Sequence, residues 1–205
     1  MPEKRSHRRG PYPTLRAVPP ALRSGGEPFE GFNLLVDHPS EAGVVLWQIV
    51  RDVSLWASTP ESSRKGLFSP RAPIRQWQVL LQAELSESVR PYLLILANLL
   101  FTDRHLEAPE LAFACRKIAD WAEEQLHLHT AIAFAQAAAL AWPESAECAY
   151  KVGWLARRHG EYARAESWLR RSIAITRRLP DMQSRVLSWI NLGHIYLARG
   201  EHLAA

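Results

Sequence analysis

One recurring spacing constrains this chain more than any other feature. Trp189, Leu192, Gly193, Tyr196 and Gly200 repeat a set found 40 residues earlier: Ala149, Val152, Gly153, Ala156 and Gly160. A looser copy, Cys115, Ile118, Ala119 and Ala122, stands 34 residues before that. Apolar residues at i, i+3, i+4 and i+7 form one face of a helix. A glycine or alanine in the middle of that face lets a second helix approach closely. A helical hairpin built this way cannot cover its own apolar face, so the units must stack.

Breakers and caps set the boundaries. Ala108-Pro109 opens a helix with the face Leu111, Ala112, Cys115, Ile118, Ala119, Ala122 and Leu126. Thr130 starts the next, carrying Ile132, Phe134, Ala135, Ala138, Ala139 and Trp142, and Pro143 ends it. A third helix runs from Ser145 to His159-Gly160, a fourth from Tyr162 to about Arg178, and a fifth from Asp181 to Arg199-Gly200. The short connections between them predict antiparallel hairpins.

The run Trp189, Asn191, Leu192, Gly193, Tyr196 and Gly200 resembles the first helix of a tetratricopeptide repeat (TPR). Gly153, Ala156, Gly160, Tyr162 and Ala165 match that pattern one unit earlier; Cys115 to Ala122 with Ala131, Ala138 and Pro143 fit more loosely. The resemblance covers residues 112–205 in units of about 112–145, 146–185 and 186–205. The last is incomplete, with residues 201–205 opening a second helix. It implies an all-α fold: antiparallel hairpins stacked as an α-solenoid over 106–205, preceded by a helical capping region over 32–105 and a disordered basic tail over 1–31. It also implies a non-enzymatic adaptor or scaffold whose groove holds a peptide segment of a protein partner. The longer unit is similar to variant repeats in sensor domains of bacterial regulators, so the alternative is a regulatory protein in transcription or signalling.

The family's groove positions fall on Phe113, Arg116, Asp120 and Glu123, then Glu147, Tyr150, Trp154 and Arg157, then Leu187, Ile190, His194 and Leu197. Lys151 and Asn191 lie near positions that the family uses to clamp a C-terminal carboxylate, although the full set is absent. The uncovered last helix is expected to expose Trp189, Leu192 and Tyr196. Trp189 and Tyr196 then form a second surface for a partner, another copy, or the rest of a longer chain.

The region before the repeats reads as helical without a repeat. One helix starts at Ser40-Glu41 and runs through Val44 to Trp56, and Thr59-Pro60 stops it. A loop is expected over 62–73, a helix from Ile74 to Leu85, and another from Glu87 to Leu100 with Pro91 in its first turn. The Ser62 to Pro73 loop is too long for a helix-turn-helix, and Arg75 is the only base on the helix after it.

Composition bounds the rest. With 47% hydrophobic and 22% charged residues the chain suits a globular fold, and no apolar run reaches the length of a membrane span. The N-terminal residues lack the apolar segment of a secretory signal, so the expected location is the cytoplasm. Cys115 and Cys148 read as buried thiols. Residues 1–26 carry six basic side chains against Glu3, which leaves −1 for the remainder of a net charge of +4. Nucleic acid is therefore expected, if at all, only at the tail, because a nucleic-acid face needs a basic stripe on the fold itself.

No phosphate loop, GxSxG, HExxH or nucleophile spacing is present, so no catalytic residue, cofactor or metal is expected. His127 and His129, beside Glu123 and Glu124, read as a helix-end pair rather than ligands. The eight tryptophans, spread at one or two per helix, read as packing residues. Arg170, Arg171, Arg177 and Arg178 read as a solvated basic face.

Overall fold

A computed structural model describes residues 34–64, 67, 87–98, 107–178 and 181–201. Among these residues are eight α-helices and no strand: α1 (Leu34–Asp37), α2 (Glu41–Ser58), α3 (Arg90–Asn98), α4 (Ala108–Glu124), α5 (Leu128–Ala141), α6 (Ala146–Arg158), α7 (Tyr162–Thr176) and α8 (Met182–Ala198). A 3₁₀ turn, Glu61–Ser63, follows α2. The tail over 1–31, the helix expected over Ile74–Leu85 and most of the 62–73 loop lie outside the described residues.

Local chemistry explains the helix ends. The Thr59 N–H closes α2 on Trp56 O, just before Pro60. Pro91 and Pro109 lie in first turns, where a missing N–H breaks no helical bond. Ser145 Oγ accepts from the Cys148 N–H at 3.2 Å, and Asp181 Oδ1 from the Ser184 N–H at 3.0 Å, which caps α6 and α8 at the expected residues. Three boundaries move: α3 begins at Arg90 rather than Glu87, α5 begins at Leu128 rather than Thr130, and α7 ends at Thr176 rather than Arg178.

Three helices end in the same closing turn. The Glu161 N–H donates to Ala156 O at 2.9 Å around Gly160 (φ 83°). Glu201 does the same to Tyr196 O at 2.8 Å around Gly200 (φ 76°). His127 donates to Ala122 O at 2.8 Å around Leu126 (φ 61°). Glycine adopts this left-handed conformation freely and leucine does not. Leu126 is therefore not on the buried face where periodicity places it: the chain has already left the helix, and the side chain is 73% exposed.

Contacts set the helix directions. Each of α4 to α8 packs on the next. Ser172 Oγ, late in α7, donates to Ala146 O at the start of α6 at 2.9 Å, and Gly153 in mid-α6 lies against Ala165 and Leu169 of α7, so the two run antiparallel. A Cβ on Gly153 would lie 2.6 Å from Leu169 Cγ, so a small residue is required there. Ser188 bonds Ser172 at 3.0 Å and Tyr196 bonds Glu166 at 3.2 Å, which sets α8 antiparallel to α7. Alternate helices run parallel: Lys151 of α6 reaches Asp120 of α4 at 2.6 Å, and Arg157 of α6 reaches Asn191 of α8 at 2.8 Å.

Alanine-rich α5 sits at the centre, buried from Thr130 through Ala139, with α1, α2, α4 and α6 all packed on it. Small side chains let those neighbours close in on several sides, and Phe134 fills the space left. One core extends from Leu34 and α2 through α4 and α5 to Trp168. A smaller cluster of Ala156, Ala165, Leu169, Ile173, Leu192 and Ile195 joins α6, α7 and α8. Trp47, Trp56 and Trp168 are core residues as expected, whereas Trp142 and Trp189 are exposed because no described element covers their sides of α5 and α8. Among the described residues no helix is long and apolar enough to cross a membrane.

Candidate functional site

The parallel helices α4, α6 and α8 share one exposed surface, and most of the residues singled out from the sequence lie on it. At its α4–α6 part the side chains are tied by charge. Arg116 pairs with Glu147, and Lys151 Nζ bridges Asp120 Oδ1 at 2.6 Å and Glu123 Oε2 at 3.0 Å. Arg158 completes the network by pairing with Glu123. Burial alone would lower the Lys151 pKa, but Asp120 and Glu123 outweigh it and hold the ammonium above its ordinary value.

Trp154 lies at the centre of this surface, half-buried, with Lys151 Nζ and Arg158 Cζ each 5.0 Å from the ring centroid. Two cations against one indole hold the ring in place while leaving part of it open to a ligand. Tyr150 lies one turn before it. Burial raises the Tyr150 phenol pKa, opposed by its hydrogen bond to Asn191 and by the Lys151 and Arg157 charges.

The α6–α8 part is fixed by an amide. Asn191 Oδ1 accepts from Arg157 Nε at 2.8 Å, and its Nδ2 donates to Leu187 O at 2.8 Å. Asn191 is 5% exposed, so it positions Arg157 and Tyr150 rather than meeting a ligand through its own surface. His194, Ile190 and Leu197 are exposed beside it.

A cleft of about 570 Å³ opens where α3 meets this surface, lined by Ser88, Tyr92, Lys117, Asp120, Trp121, Glu123, Glu124 and Lys151. Tyr92 packs edge-on to Phe113 with centroids 5.9 Å apart, and Lys117 Nζ lies 5.5 Å from the Phe113 ring. Ser88, Tyr92, Lys117 and Trp121 have no place in the groove set drawn from the family resemblance. Lys117, Trp121 and Glu124 follow one another at i, i+4 and i+7, a second stripe beside Arg116, Asp120 and Glu123 whose sequence signal is the same helical period. The Tyr92 contribution comes from packing between α3 and α4 and has no local signal.

The surface expected at Trp189 and Tyr196 divides. Trp189 is 55% exposed. Tyr196 turns the other way: its hydroxyl receives Arg170 Nη2 at 2.7 Å and donates to Glu166 at 3.2 Å, and its ring packs against the smaller core. Leu192, also expected to be open, is 2% exposed. Both residues face α7, which takes the side of α8 that the repeat spacing alone leaves unassigned.

Histidines find separate neighbours. His127 lies edge-on to His38 at 4.5 Å, and His129 to His159 at 4.8 Å. Among the described residues no group of three or more His, Cys, Asp or Glu side chains is placed to hold a metal ion. Cys115 and Cys148 are free and buried, and burial pushes both thiol pKa values up. Arg171 lies 5.1 Å from the Trp168 ring and Arg170 bonds Glu166, so two members of the basic cluster are engaged within α7.

Comparison with family models, curated proteins and solved structures gives no significant match.

Proposed function

We propose that the chain is a non-enzymatic protein-interaction module, a TPR-like stack of helical hairpins that holds a peptide segment of a partner across α4, α6 and α8. The observation that supports this most is Trp154, a partly open indole fixed by Lys151 and Arg158 at the centre of a surface shared by parallel helices. Aromatic and Arg side chains on a rigid base are the residue types that dominate recognition energy. The antiparallel α6–α7 and α7–α8 pairs, and the glycine contact between α6 and α7, support the repeat reading. The charged cleft at one end and the exposed Ile190 and Leu197 side chains beside Tyr150 at the other favour an extended peptide with a basic or mixed-charge end and an apolar end.

Selection from a displayed peptide library against the full purified chain tests this. Peptides so selected should lose at least ~30-fold in affinity to Trp154→Ala or Arg157→Glu, the effect of a central anchor worth about 2 kcal/mol. Deletion of residues 1–26 should leave the affinity unchanged. Peptide binding indifferent to both substitutions would sink the groove assignment. Salt-dependent binding lost with the tail would point to nucleic acid instead.

A further inference from the structure

The bend between α1 and α2 meets the turn between α4 and α5 through a pair of histidines. His38, in the bend, stacks on Trp121 with ring centroids 6.1 Å apart and planes 9° apart. His127, in the turn, stands edge-on to both rings, 4.5 Å from His38 and 6.1 Å from Trp121. Both side chains are half-buried, yet one nitrogen of each, His38 Nε2 and His127 Nδ1, is fully buried without a hydrogen-bond partner. The bend has no room to retreat toward α2, because a Cβ on Gly43 would collide with His38 O and Cβ. One residue before His38, Asp37 caps α5 through Thr130.

This arrangement suits neutral rings. A neutral imidazole has one nitrogen without a hydrogen, and each ring can leave that nitrogen at its buried position. An imidazolium carries N–H at both nitrogens. At His38 the second N–H would be buried with no acceptor, a larger penalty than a bare nitrogen left unbonded. Stacking on Trp121 favours a cation only weakly at this separation.

No neighbouring charge rescues the cation. Burial first, and His127 second, lower the His38 pKa from its ordinary 6.5, against a smaller opposing pull from Asp37. The Asp37 carboxylate is already turned to Thr130. On the other elements packed here, Glu123 of α4 is held by Lys151 and Arg158, and His129 of α5 faces His159. Glu41 of α2 and Glu124 of α4 are exposed, and neither accepts a bond from His38 Nε2.

We propose that His38 is a pH-sensitive latch: neutral, it holds α1 and α2 against the α4–α5 hairpin, and proton uptake at its buried Nε2 loosens them. The latch does not rest on the peptide-binding reading. A loosened bend frees the imidazole to reach water and takes up a proton more readily than the docked one. Docking is therefore complete above about pH 7 and is lost as pH falls below 6.5 toward the docked-state value.

Native-state amide exchange of the full chain, corrected for intrinsic rates, tests this. Between about pH 7 and pH 5 the amides of α2 should lose at least ~5-fold in protection while those of α7 hold theirs. His38→Phe keeps a ring against Trp121 and removes the titration, so its α2 protection should not change over that range. His129→Gln, at a ring that faces His159 instead, should keep the full response. In the wild-type chain the His38 ring, followed by NMR, should titrate below 6.5, a measurement that needs no variant to fold. Constant α2 protection in the wild type, a His38 ring that titrates at 6.5 or above, an undiminished response in His38→Phe, or a response abolished by His129→Gln each overturns the proposal.

Discussion

Leu126 holds a backbone conformation that its side chain disfavours. Its φ of 61° closes α4 through the turn that Gly160 and Gly200 make for α6 and α8. A left-handed residue with a Cβ costs roughly 1–2 kcal/mol, partly offset on changing to glycine by the extra freedom of the unfolded chain. The side chain is mostly exposed, so little apolar burial is lost with it. Leu126→Gly should therefore stabilise the protein by about 0.5–1 kcal/mol, read as a higher urea midpoint at unchanged slope. The same residue shows where sequence reading stopped. Gly153, Gly160, Gly193 and Gly200 announce their units because glycine is rare on helices and common at their ends. Leu126 sits four residues after Ala122, so it imitates a core position and hides the third closing turn. The exposure of Trp142 was equally hidden, because indole burial depends on which neighbouring element is present rather than on the period of its own helix, whereas that of Trp189 was expected from the uncovered last helix.

Between elements, the α7–α8 contact depends on ionised carboxylates. Burial would raise the Glu166 pKa, but hydrogen bonds from Arg199, Arg170 and Tyr196 outweigh it and hold the carboxyl below its ordinary value of 4.5. The Ser184 hydroxyl and N–H hold Asp181, the cap of α8, below its ordinary 3.8. A depressed folded-state pKa contributes stability that is complete above the unfolded value and is lost as pH falls through the folded one. The α8 contacts should therefore be constant from neutral pH down to about pH 5 and weaken below about pH 4. Amide exchange, measured as a function of pH and corrected for intrinsic rates, should show α8 opening in acid before α4 and α5. Glu166→Gln should flatten that dependence. The elements themselves were legible: Ser40, Pro109, Ser145 and Asp181 mark helix starts, and Thr59-Pro60, Pro143 and the two closing glycines mark ends. The site was only partly legible. Helical spacing placed Asp120, Tyr150, Trp154 and Arg157 on one surface, but the pairing of Arg158 with Glu123, and the turn of Tyr196 toward Glu166, come from helix offsets that no local pattern encodes.

For the whole molecule, the decisive tie joins the N-terminal helices to the hairpins. Helix α5 has no cap from its own preceding residue. Asp37 of α1 supplies one from a distance: its Oδ2 accepts the Thr130 N–H at 2.8 Å and the Thr130 hydroxyl at 2.9 Å. Asp37→Ala leaves a buried donor unpaired and should cost about 1–2 kcal/mol, while Asp37→Asn keeps an acceptor and should recover most of the loss. Urea denaturation of the two variants checks this. The region 32–105 could be read as helical and as a cap, yet its placement against α5 in particular had no sequence signature.

That tie also orders events in time. The hairpins close over turns of a few residues, whereas Asp37 and Thr130 stand 93 positions apart. The entropy of chain closure grows as roughly (3/2)RT ln n, so docking α1 and α2 costs about 3 kcal/mol more than closing one hairpin. Docking of α1 and α2 on α5 thus carries the largest closure entropy of these contacts. During translation α2 lacks its α5 partner until α5 has left the ribosome, and a chain stalled before Thr130 has, among the described elements, only α1 and α3 against that apolar helix.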